Sequence, residues 1–326
     1  MSVHKSVLLK ESINALNIKS GDVVVDATLG GGGHSREILK KIGSGGILIA
    51  TDSDISAISS FAEFSIFNFQ FSNKSEIINS KIQKIGNIFL VNDNFSNLDK
   101  ILVDLNINKV NAILADFGIS SDQLEETDRG FSFQKDARLD MRMNQNEGMS
   151  AEDVVNNYSE EELSKIFFEY GEERYAKKIA KEIVAQRKSQ RIQTTFDLVL
   201  AISNSVPERY KHQRIHFATR VFQALRIEAN KELEAIGEFI PKAIEILDKK
   251  GRLAVITFHS GEDKIAKEIF RKNARGCICP PNFPVCRCGK RPIVKIITKK
   301  PVLPSVGEIK ANPRSRSAKL RVIEKI

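Results

Sequence analysis

Four consecutive glycines, Gly30 to Gly33, follow the apolar run Val23–Val25 and its terminal Asp26. Such a run can sit inside neither a helix nor a strand, because glycine loses more backbone freedom on folding than any other residue. It therefore marks a turn, and the helix-like segment Arg36–Lys41 follows it. Strand, acid, glycine turn and helix in that order form the opening unit of a nucleotide-type cofactor site. A backbone without side chains can approach its ligand closely there.

The pattern repeats. Val23–Asp26, Gly46–Asp52, Ile88–Asp93 and Ala112–Phe117 are short apolar runs, three of them ending at Asp and the fourth beside one, with helix-like stretches between them. That alternation predicts an α/β fold with a doubly wound parallel sheet. Ligands of such sheets bind at the carboxyl ends of the strands, where these acids fall. From about Leu124 the pattern gives way to a loop and then helices. Ser150–Asp153 and Ser159–Glu162 read as capping-box starts, and Glu172–Arg191 as a basic helix. A long helix over Ala218–Asp248, bent at Pro241, leads to further strands at Arg252–Phe258, Pro292–Thr298 and Lys319–Ile323. We expect a discontinuous core, residues 1–123 and 217–326, with an all-helical domain inserted at 124–216. The crowded Phe61, Phe64, Phe67, Phe69 and Phe71 read as a helix and a partly buried extension without assigned function.

The net charge of +9 is unevenly placed. Arg287 to Ile326 holds 12 basic and 2 acidic residues, so the first 286 residues are close to neutral. This suits a polyanion partner such as nucleic acid, or a solubilising tail. No apolar run approaches the ~20 residues of a membrane helix, and Met1–Lys5 lacks a signal-peptide core, so a cytoplasmic protein without membrane partners is expected. Cys277, Cys279, Cys286 and Cys288 share one segment and cannot staple the rest of the chain. Their one-residue spacings differ from the two-residue spacing of most structural zinc sites, so no metal is assigned, and reduced thiols and a bound zinc both remain open.

The glycine turn lacks the third glycine of a dinucleotide fingerprint, since Ser35 or Arg36 occupies that position, and no Gly-Lys-Ser/Thr follows. A dehydrogenase is thereby excluded. Asp52, 19 residues beyond Gly33, is placed to accept hydrogen bonds from ribose hydroxyls. Phe95 could pack on adenine or belong to the core. Asp116 ends the fourth strand. Carboxylates and no phosphate-binding loop suit S-adenosylmethionine, whose sulfonium is cationic. The rivals are a methyltransferase for a small molecule or protein, and an RNA-binding factor without catalysis. The basic tail opposes the first, and Gly32, Gly33, Asp52 and Asp116 together oppose the second.

Several blocks together resemble one family, the bacterial 16S ribosomal RNA (cytosine-N4) methyltransferases. They include His4–Glu11, Gly30–Ser35, Ala115–Leu124, Arg129–Phe133, Leu139–Met143, Tyr170–Arg174, Ala218–Ile227, Phe258–Ser260 and Asn312–Ala318. The chain departs from that family at Gly31, Asp122, Gly261 and Lys264. The resemblance implies a Rossmann-like S-adenosylmethionine-dependent core with a helical RNA-recognition insertion. It also implies cofactor contacts at Gly32, Gly33, His34, Asp52, Phe95, Asp116 and Gln123. The expected reaction is in-line methyl transfer to the exocyclic N4 of a cytosine near the decoding centre, in 16S rRNA, within the small subunit as expected partner; whether naked RNA or the assembled subunit is the substrate is left open. Asp116 and Ser120 would hold the base edge. His259 would orient the base or take a proton, or serve as a structural loop histidine. Arg129, Arg138, Arg142, Arg220, Arg226, Arg314 and Arg316 are candidate RNA contacts. Phe131 and Phe133 could stack on an unpaired base or fill a core. Carbon-5 methylation needs a cysteine near the cofactor, and none precedes Cys277. Whether the protein dimerises is left open.

Overall fold

In the computed structural model we describe residues 5–68, 75–119, 127–145, 147–277, 279, 285 and 287–326. They divide into two compact units, one formed by Met1–Gly118 with Leu233–Ile326 and the other by Ile119–Glu232.

The first unit is built on one nine-stranded sheet. In chain order the strands are β1 Val23–Asp26, β2 Ile47–Asp52, β3 Ser75–Ile77, β4 Ile82–Ile85, β5 Ile88–Asn92, β6 Val110–Asp116, β7 Leu247–Thr257, β8 Val294–Ile296 and β9 Lys319–Lys325. Their order across the sheet is β3-β4-β5-β2-β1-β6-β7-β9-β8. The five central strands run parallel, in register Val24 beside Leu48 and Ala112, and Ile113 beside Leu253. Their sequences are near-continuous runs of Val, Ile, Leu and Ala because both faces are covered. One apolar cluster, with Val24, Leu48 and Leu114, fills one face. A second, with Val25, Ile49, Ile113 and Val255, fills the other. The period-2 alternation along each strand divides its residues between the two faces.

The edges differ from expectation. The stretch after the phenylalanines turns back as the antiparallel hairpin β3–β4, which extends the sheet beyond β5. At the opposite edge β9 and β8 also run antiparallel. The single long helix expected over Ala218–Asp248 is two helices, Thr219–Asn230 and Glu232–Ile246. The break falls at Lys231, in left-handed backbone with φ 50°, and Pro241 lies inside the second helix. Asp248 belongs to β7.

The second unit is helical. Ser150 and Ser159 cap the helices Ala151–Asn157 and Glu160–Glu169, with reciprocal bonds to Asp153 and Glu162. Thr194 and Asp197 do the same for Thr195–Ser205. The basic helix is shorter than expected, Ala176–Gln186, so Arg187 to Arg191 lie past its end. Phe167, Ile179, Leu198, Val221 and Leu225 belong to a separate core. This unit begins earlier and ends later than 124–216, because the buried face of Thr219–Asn230 packs in that core.

Candidate active site at the carboxyl edge of the sheet

The strand order reverses direction between β1 and β6, the position at which open α/β sheets form a ligand crevice. The chain leaving β1 is tied down residue by residue there. Ala27 N–H donates to Leu114 O at 2.8 Å, and Asp116 N–H donates to the Thr28 hydroxyl at 2.7 Å. Leu29 N–H reaches Thr51 O at 2.9 Å, and Gly30 N–H reaches Asp52 Oδ2 at 2.8 Å.

Two of the glycines answer to the protein's own packing. At Gly32 the backbone is left-handed, φ 70°, and a Cβ would collide with the Phe61 ring. At Gly33 a Cβ would collide with the Ser6 hydroxyl. Phe61, which the sequence left without a role, thus sits directly against the turn. Its ring neighbours Phe64, over which the Arg36 guanidinium lies at 4.2 Å.

Three carboxylates gather at this edge. Asp26 is fully buried and accepts a 2.6 Å hydrogen bond from the Ser35 hydroxyl. Burial pushes its pKa up to about 7, against the pull of Ser35 and Thr28 and with a smaller push from Asp52. Asp52 accepts from Gly30 and Asp54 backbone N–H groups, one on each oxygen. Asp116 is held well above the usual carboxylate range, by burial first and then by the charges of Asp26 and Glu262. Its Oδ1 is buried without a hydrogen-bond partner among the described residues, although the side chain as a whole is 18% exposed. Its Oδ2 lies 3.8 Å from His34 Nδ1. His34 is buried, with Nε2 3.2 Å from the Val7 carbonyl. A carbonyl can only accept, so Nε2 carries a proton.

Phe95 follows β5 in a short 3-10 turn that Asn94 caps through Ser96 N–H. It is half-buried against Phe117 and Phe239, with ring centroids at 5.3 and 5.2 Å. His259 follows β7, and its Nε2 is 3.2 Å from Glu262 Oε1. Glu262 is fully buried and accepts from the backbone N–H of Phe258 at 2.7 Å and of His259 at 3.3 Å. The structure therefore brings Asp116 together with His34, Asp26 and Glu262. Sequence reasoning included Ser35 in the glycine turn but missed Phe61 and Glu262 as members of this edge. Only Glu262 left a signal, its capping-box spacing from His259. Ser120 and Gln123 lie outside the described residues.

The candidate RNA contacts are spread over both units. Arg129 is buried and donates to the carbonyls of Arg142 and Met143, with Phe131 beneath it. Arg142 forms a two-pronged pair with Asp140, and Arg226 another with Glu232. Arg220 donates to Glu172 O. Arg138 is different, with a side chain 69% exposed and Glu152 at 3.5 Å. Phe131 is in the core, and Phe133 stacks on His216 at 4.5 Å. Arg314 and Arg316 are exposed in the 3-10 turn Pro313–Ser317.

This sheet order, with acids at the reversal and no phosphate-gripping loop, defines a Rossmann-like α/β core. Residues 1–326 match the MraW methylase family, and the chain belongs to that family. It is 50% identical over 323 residues to the ribosomal RNA small subunit methyltransferase H of Clostridium botulinum, covering 99% of each chain. It is 46% identical over 325 residues to the enzyme of the same name from Finegoldia magna, covering 99% of this chain and 98% of that one. Among solved structures, an rRNA methylase from Streptococcus thermophilus matches over 99% of this chain and 98% of its own, with 11% identity and a TM-score of 0.43. Among the described residues no helix is long and apolar enough to cross a membrane.

Proposed function

We propose that this chain methylates the exocyclic N4 of a cytosine in 16S rRNA near the decoding centre, with S-adenosylmethionine as donor. The assembled small subunit in the cytoplasm is its substrate. The relatives' names supply the small-subunit rRNA, and the carboxylate edge supports the cofactor and the acceptor chemistry.

The residues fit that cofactor. Asp52 keeps acceptor capacity on both oxygens after its two backbone bonds, enough for ribose hydroxyls. Phe95 offers an aromatic surface for adenine. Asp26, Asp52 and Asp116 would repel a phosphate but attract a sulfonium. Bound there, the cofactor supplies an activated methyl group, and the protein's part is to position and desolvate the partners.

The observation that carries the reading is the buried, unpartnered Oδ1 of Asp116. Cytosine N4 is a weak nucleophile because its lone pair is shared with the ring. A hydrogen bond from N4–H to Asp116 concentrates that lone pair and gives the departing proton a destination. A carboxylate with a raised pKa is the stronger base for that purpose. His34 Nδ1 lies 3.8 Å from the other oxygen of Asp116, on the protein side of the carboxylate. Ser120 and His259 complete the base pocket in this reading, and Gln123 the cofactor pocket. The helical unit and the exposed Arg138, Arg314 and Arg316 hold the RNA backbone.

The test is direct. The protein is incubated with labelled cofactor and small subunits lacking the modification, and the RNA is digested to nucleosides. N4-methylcytidine at one position is expected. Label at carbon 5, or in protein, overturns the reading.

A further inference from the structure

The connection 275–293 joins the helix Ser260–Ala274 to β8, and it carries all four cysteines of the chain. Cysteine is ordinarily among the most buried residues. Here Cys277 and Cys288 are exposed and Cys279 is half-buried, so core packing does not explain why they meet. They do meet, with the three Sγ atoms all within 4.8 Å of one another. Cys277 Sγ and Cys288 Sγ are 3.7 Å apart. That is far beyond a disulfide bond of about 2.05 Å. It matches the edge of a tetrahedron of thiolates around zinc, about 3.8 Å for Zn–S bonds of about 2.3 Å. The Cys279 backbone N–H points at Cys277 Sγ at 3.4 Å. An amide donor aimed at a sulfur favours its charged form, the form that ligates metal.

We propose that Cys277, Cys279 and Cys288 hold a structural zinc ion. Sulfur-rich, tetrahedral coordination selects zinc over the oxygen-seeking magnesium and calcium. Three thiolates leave one tetrahedral position, for water or a further thiolate; Cys286 lies outside the described residues. Three thiolates on a dication leave one net negative charge, which Arg275, Arg287, Lys290 and Arg291 on the same connection offset. The ion links Cys277 to Cys288 and closes the intervening chain into a ring, which removes conformational freedom that a long connection would otherwise keep. The ends of the connection are already anchored. Lys290 Nζ donates to Lys272 O at 3.0 Å, and Ile293 N–H donates to Asn273 O at 3.0 Å. The consequence is a basic loop held in one shape. The one-residue spacing within the sequence pairs is accommodated because Cys277 is paired with Cys288, across the connection, as closely as the tetrahedron needs.

The full chain, purified without an affinity tag and kept reduced, is dialysed against zinc, desalted, and its metal measured by elemental mass spectrometry. Stoichiometric zinc is expected in the parent chain, and background levels in Cys277→Ser/Cys288→Ser. Cobalt replacing zinc in the parent chain should produce a near-ultraviolet thiolate-to-metal charge-transfer band. Far-ultraviolet circular dichroism of the variant should match the parent. Reduced parent chain that retains no zinc overturns the proposal, as does full zinc retention by the double variant. Cobalt bound without the sulfur band also overturns it, whether or not the variant folds.

Discussion

The helical unit and the carboxyl edge of the sheet handle charge in opposite ways. In the helical unit the buried and half-buried guanidinium groups are matched: Arg142 to Asp140, Arg226 to Glu232, and Arg129 to two carbonyls. Asp140 is accordingly lowered from the usual carboxylate range despite its burial, chiefly through Arg142. At the carboxyl edge of the sheet the acids lie near one another instead, and Asp26 and Asp116 are pushed up, by burial first and by neighbouring acids second. A charge that is buried and paired holds a fold together. A charge that is buried beside its own kind is costly, and function is the reason to keep it.

The sharpest way to break this contrast is Asp116→Asn. It should lower kcat/KM by about a hundredfold to ten-thousandfold, while far-ultraviolet circular dichroism shows the parent's fold. Full turnover in that variant would remove Asp116 from the chemistry.

Asp26 gives a pH test. Its folded pKa lies above its unfolded value, so the folded state holds an extra proton between about pH 4 and 7. The parent should therefore lose stability as pH rises through that window. Asp26→Asn removes the loss, gaining on the parent by at most about 4 kcal/mol between pH 4 and 8, at ~1.4 kcal/mol per pKa unit. Denaturant unfolding at a series of pH values measures it, and a constant difference would refute it. The same variant should move the acid limb of the activity profile downward, because Asp26 helps to raise Asp116.

In the helical unit Arg226→Ala strands Glu232, whose side chain is only 8% exposed. A loss of about 3 kcal/mol is expected in chemical denaturation, and neutralising the partner as well, with Glu232→Gln, should restore part of it. Gly32→Ala should cost about 2 kcal/mol, from left-handed backbone and the clash with Phe61. Phe61→Ala should relieve the clash without relieving the backbone strain, which a double-mutant cycle separates. The smallest effect belongs to Arg138→Ala. Stability should stay within about 0.5 kcal/mol, while the salt slope of RNA binding falls by about one.

Much of the framework was legible because it is local. The glycine turn, the apolar strands ending in acids, and the capping boxes at Ser150 and Ser159 are each set by residues a few positions apart. The errors arose where local signals compete. Pro241 suggested a bend, yet the break is at Lys231, where the chain adopts left-handed backbone. The hairpin β3–β4 was unforeseen because such short strands carry too little period-2 pattern to stand out against the surrounding Asn and Ser. Arginines looked alike in the sequence, and only their partners distinguish Arg226 from Arg138.

By itself the sequence determined the alternation of strand and helix, the missing third glycine and the acids at the strand ends, since backbone propensity and side-chain period act over neighbouring residues. Tertiary structure alone decided that Asp26, Asp116 and Glu262 would crowd one edge, that Phe61 would demand a glycine at position 32, and that Cys277 would face Cys288. Burial and Coulomb forces depend on distance in space, and residues remote in the chain acquire that distance only when the sheet closes around them.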